Sequence, residues 1–158
     1  MRRWLKPLVL LSRLALAAMF LFAAGAKLYT IRDFVANLTN LVEESWVWPA
    51  AVAVIVAEIV AAALLLWPRF ARAGAALSAA LLLGFAAYAL YYVYALNGEP
   101  LECGCFGGII ASQLGVSTAL RNLAFLVPAL LVFFLHPRLR RPAQPETETL
   151  HTSTSAPA

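Results

Sequence analysis

Charge is scarce in this chain: Lys, Arg, Asp and Glu make up only 13% of its 158 residues. A water-soluble domain of this size carries about twice that share and is about 45–50% apolar. Here 63% of the residues are hydrophobic and the mean hydropathy is +0.80, which excludes an ordinary soluble fold. Histidine and cysteine are nearly missing too, with two of each. Two thiolates supply half of a tetrahedral metal set, and His136 and His151 are expected across the membrane from them, so no metal site is assigned. The net charge of +4 comes from short basic groups beside apolar runs. No basic stripe could follow phosphates, which excludes nucleic acid as a partner. No segment alternates like a barrel strand, and no internal repeat is present.

What remains is long apolar runs. Four of them, about 8–26, 47–66, 73–96 and 118–136, approach the roughly 20 residues needed to cross a hydrocarbon core. Lipid offers backbone groups no partner, so each run must be helical. The expected fold is all-α: an integral membrane four-helix bundle over residues 1–136. From Pro137 onward the chain is polar, proline-containing and aromatic-free, and is expected to be a disordered cytoplasmic tail. The first run resembles a signal peptide, but it is longer than the usual apolar core and contains Arg13. It is read as an anchor.

The basic residues set the orientation. Arg2, Arg3, Lys6, Arg69, Arg72, Arg138, Arg140 and Arg141 fall on one face, while the other holds Lys27, Arg32, Arg121 and five acidic residues. The positive-inside rule puts both termini in the cytoplasm. Trp4 and Trp67 then mark the inner boundary and Trp46 and Trp48 the outer one, with Tyr88, Tyr91, Tyr92 and Tyr94 as further outer anchors. In the first outer loop Phe34, Leu38, Leu41 and Val42 recur at helical spacing. A short amphipathic helix is expected there, as a lid on the bundle or a connector resting on headgroups.

The two cysteines lie in the second outer loop as Cys103-Gly104-Cys105, followed by Phe106, Gly107 and Gly108. The extracytoplasmic side of a bacterial membrane is oxidising, so a disulfide can persist there. A bond closing so short a loop removes little chain entropy and is readily strained. Strain makes a disulfide easier to exchange, so Cys103 and Cys105 are expected to trade disulfides rather than brace the loop. Arg121 could tune the pair, and Asn122 could hydrogen-bond between helices. Two charges lie well inside the spans, Arg13 in the inner half of the first and Glu58 midway along the second. Intramembrane charges are paired or functional, and a register-setting Arg13–Glu58 ion pair is expected. The functional alternative is Glu58 handling protons beside a quinone.

Together these residues resemble the MauE (methylamine utilisation) branch of the DoxX-like membrane proteins. The resemblance rests on Arg13 with "FLFAAGAKLY", Phe34, Glu58, "CGCFGG" and Arg121–Asn122, across about residues 11–135. It implies an inner-membrane protein that supports maturation of exported proteins. In that family's setting a thioredoxin-like extracytoplasmic partner helps produce the disulfide-rich small subunit of methylamine dehydrogenase. The arrangement is also similar to quinone-linked disulfide generators such as vitamin K epoxide reductase, which leaves room for a quinone cofactor. Those use CxxC and a second cysteine pair that this chain lacks, so exchange here would go directly to the partner. Two other readings stay open: a non-catalytic assembly scaffold, and a quinone-coupled DoxD-like oxidoreductase subunit.

Overall fold

The computed structural model describes residues 2–95 and 116–140, with side chains for 5–95 and 116–136. These residues form α1 (Arg2–Tyr29), α2 (Ile31–Leu38), α3 (Glu44–Leu66), α4 (Ala71–Tyr94) and α5 (Val116–Arg140). Four stretches are long and apolar enough to cross a membrane: Leu5–Tyr29, Glu44–Leu66, Ala71–Tyr94 and Val116–His136. The fold is therefore all-α with four candidate spans, as expected. Helix α5 runs to Arg140, four residues into the segment expected to be tail; 141–158 lie outside the described residues.

The spans pack in a ring. Helix α1 lies against α3 and α5, and α4 lies against α3 and α5, while α1 and α4 barely meet across the diagonal. Successive spans alternate in direction, so each helix runs antiparallel to its ring neighbours in an up-down arrangement. The hairpin turn between α3 and α4 marks one end of the bundle, which the start of α1 and the end of α5 share. Helix α2 marks the other.

Large apolar side chains such as Leu11, Leu14, Val56, Leu83, Val127 and Phe134 face outward. Helices apolar all round need hydrocarbon outside as well as inside. On α4 most inward-facing positions are small instead. Helix α4 buries Ala71, Gly74, Ala75, Ser78, Leu82, Ala86 and Ala89 at steps of three and four, so that helix axes approach closely. The approach is tightest at Gly74, where an added Cβ would stand 2.7 Å from the Leu65 amide nitrogen and 2.9 Å from the Leu64 carbonyl carbon. Only glycine fits there.

The expected amphipathic helix is present as α2. Phe34 and Leu38 are buried against Ala24, Val47, Ala51 and Ile55. The helix stops at Leu38, whose carbonyl accepts from the amides of Leu41 and Val42 in the following turn. Leu41 is consequently half exposed rather than on the buried face. The Tyr88 hydroxyl donates to the Asn37 carbonyl at 2.8 Å, tying α2 to α4. Of the four tyrosines expected as interfacial anchors, Tyr91 and Tyr94 are exposed, but Tyr92 is buried with Ala86, Ala89 and Ala119. Tyr92 is thus core: its position on α4 faces α5 rather than lipid.

Candidate functional site

The two intramembrane charges do not pair with each other. Arg13 donates through Nε and Nη2 to the Leu65 carbonyl, at 2.8 and 2.6 Å, and through Nη2 to the Leu66 carbonyl at 3.1 Å. These carbonyls end α3 and have no intrahelical amide to meet. The guanidinium fork supplies what the helix terminus lacks. Glu58 instead meets Lys27, with Nζ 2.6 Å from Oε1 and side chains 1% and 0% exposed.

The expected Arg13–Glu58 pair fails on direction, not on distance along the axes. A helical Cα–Cβ bond tilts toward the helix N-terminus. Arg13 therefore reaches toward the start of α1, where antiparallel α3 ends. Lys27 reaches back from the far end of α1 into the bundle, and Glu58 reaches from α3 toward it. Lys27, read from sequence as a flanking charge, is thereby withdrawn from the surface.

Each element contributes to this centre. Lys27 comes from α1 and Glu58 from α3. Phe34 of α2 and Phe85 of α4 flank the ammonium, with ring centroids 5.6 and 5.2 Å from Nζ. Rings at this range attract a desolvated cation by about 2 kcal/mol. Asn122 of α5 is buried and lines a void of about 20 Å³ together with Lys27, Glu58 and Phe20. Within it Glu58 Oε2 and Asn122 Nδ2 have no hydrogen-bond partner. Of the Asn122 amide, the nitrogen makes no hydrogen bond between helices among the described residues. Arg121, one residue earlier, is only half buried.

A larger cavity of about 290 Å³ opens beneath α2, with Lys27 on its wall beside Phe34, Leu38, Val54, Phe85 and Tyr88. Its lining is apolar except near Lys27, Asn37 and Tyr88. Lys27 is thus the residue that links the ion pair, the aromatic pair and the cavity, and sequence reasoning missed it. Its signal was present in "AAGAK", where a lysine in the last turn of a helix points back into the span.

Cys103, Cys105, Phe106 and Gly107 fall in 96–115, outside the described residues. That stretch connects the end of α4 to the start of α5, and both lie at the α2 end of the bundle.

The family model described as Methylamine utilisation protein MauE matches residues 5–135. Neither a curated relative nor a solved structure matches the chain. The chain belongs to the MauE family, and is a multi-pass membrane protein related to methylamine utilisation.

Proposed function

From this membership we propose that the protein exchanges disulfides with a thioredoxin-like extracytoplasmic protein through Cys103 and Cys105, and so supports maturation of an exported protein of methylamine utilisation. The membrane is the bacterial inner membrane, with both termini and the α3–α4 hairpin in the cytoplasm. The carrying observation is that the chain's two cysteines stand one residue apart, in the connection at the α2 end. The opposite end carries the arginines that favour the cytoplasm.

The chemistry needs no resident cofactor. A partner thiolate attacks one sulfur of the Cys103–Cys105 disulfide, breaking that bond, forming a mixed disulfide and releasing the other cysteine as thiolate. The partner's second thiolate then attacks the mixed disulfide. The partner leaves oxidised and the CxC pair remains as a dithiol. A separate extracytoplasmic protein disulfide, distinct from this partner, restores the pair by the reverse sequence and leaves as the dithiol, so that oxidising equivalents pass from it through the pair to the partner. A strained bond favours the first step, and the glycines leave room for the incoming sulfur.

Acid-quenched cells, mass-tagged with a maleimide before and after a pulse of membrane-impermeant reductant, test this. Cycling of the pair between dithiol and disulfide during recovery, with a Cys105→Ser or Cys103→Ser variant trapping a mixed disulfide, is expected. A pair locked in one state would instead favour a docking scaffold.

A further inference from the structure

We infer that the void beside Glu58 and Asn122 is a binding site for a single water molecule, which accepts from Asn122 Nδ2 and donates to Glu58 Oε2, joining α5 to the α1–α3 ion pair. The Asn122 and Glu58 side chains are 8% and 0% exposed, and neither atom meets a hydrogen-bond partner among the described residues. A desolvated polar group left unmet costs more than immobilising one water does. Packing holds the space open: Phe20 and Leu82, 1% and 2% exposed, line it as members of the core. Its volume is about 20 Å³, and one water requires roughly 10–15 Å³. One water fills it.

The two facing atoms select the occupant. The Glu58 carboxylate, held by Lys27 through Oε1, can only accept at Oε2, and an amide nitrogen can only donate. The bridge must therefore donate on one side and accept on the other. A metal cation or an ammonium ion cannot accept, and a halide cannot donate. Any ion would also set an uncompensated charge beside a pair that is already neutral, which is costly in a desolvated site. Water meets both demands without charge, and it asks nothing further of Lys27. Asn122 stands in the second turn of α5, which begins at Val116 where the cysteine-bearing connection ends. The water thus fixes the first turns of that helix against the ion pair.

The test is a crystal structure of the full chain grown from a lipidic mesophase, at a resolution that shows ordered water. One density peak within about 3.2 Å of both Glu58 Oε2 and Asn122 Nδ2 is expected. In Asn122→Leu the new side chain should displace the peak while the Lys27–Glu58 contact stays. Unfolding in mixed micelles of rising SDS fraction adds an energetic readout. Asn122→Leu should lower the midpoint of the parent chain. The same substitution should cause no lowering on a Lys27→Met/Glu58→Leu background, which leaves the water no acceptor. An empty space between two side chains that stay apart would overturn the site. So would Asn122 Nδ2 turned directly onto Glu58 Oε2, or equal lowering in both backgrounds. A peak about 2.0–2.6 Å from oxygens alone would be a metal cation, and would overturn the water.

Discussion

Lys27 Nζ and Glu58 Oε1 stand 2.6 Å apart with essentially no exposure of either side chain, so α1 and α3 are locked by an ion pair that neither bulk water nor salt can reach. Breaking a buried pair from one side leaves an uncompensated charge. Lys27→Met or Glu58→Gln alone should each cost about 3–5 kcal/mol, while the double substitution should cost far less than their sum. Unfolding in mixed micelles of rising SDS fraction measures all three. Additive losses would mean that the two charges act independently.

Arg13 predicts a different pattern, because it donates to the neutral carbonyls of Leu65 and Leu66. Arg13→Met should lose about 1.5–3 kcal/mol, as two carbonyls at the end of α3 go unmet. Arg13→Lys keeps the charge but not the fork, and should recover only part of the loss. The same micelle titration checks this. Full recovery by lysine would show that charge, rather than bidentate geometry, holds α1 to the α3 terminus.

The four spans could be read from the sequence because twenty apolar residues in a row admit few alternatives in lipid. Helix α2 was readable for a similar reason, as Phe34 and Leu38 share a helical face. Its end was not, because the stop comes from the turn that Leu38 closes with Leu41 and Val42. Lys27 and Tyr92 were misplaced because hydropathy treats depth as a property of the residue number. Depth also depends on side-chain direction: Lys27 points back along α1, and Tyr92 faces α5. The cysteine pair was read from composition and spacing alone.

At Gly74 the α3–α4 hairpin should tolerate no side chain. A methyl group there meets backbone atoms of Leu64 and Leu65 at 2.7–2.9 Å, and backbone cannot rotate aside. Gly74→Ala should destabilise by about 1–3 kcal/mol through overpacking. Gly25→Ala, where an added Cβ has nothing within 4 Å, should be tolerated. Melting both variants in the same detergent tests the contrast, and similar midpoints would place the α3–α4 contact elsewhere.

Asn122 should resist replacement by leucine, although the adjoining void of about 20 Å³ gives the new branch some room. Its Nδ2 is buried without a partner in the protein, so its bond goes to the bridging water. Leucine would expel that water and leave Glu58 Oε2 unmatched. Asn122→Leu should therefore lose about 1–3 kcal/mol in the SDS titration, the cost of an unmet desolvated group. Asn122→Gln keeps the amide and should lose less. Unchanged or raised stability on Asn122→Leu would show that the amide group contributes nothing to the centre.

Orientation connects these packing results to the exchange chemistry, because disulfides persist on only one side of the membrane. Withdrawing Lys27 into the bundle removes a positive charge from the α2 end and sharpens the contrast with Arg69 and Arg72 at the hairpin end. In reduced whole cells a membrane-impermeant maleimide should label Cys103 and Cys105. In a Cys103→Ser/Cys105→Ser background, Arg69→Cys should label only after permeabilisation. The reverse pattern would put the cysteines in the reducing cytoplasm, where an exported partner could not reach them, and the exchange proposal would fall.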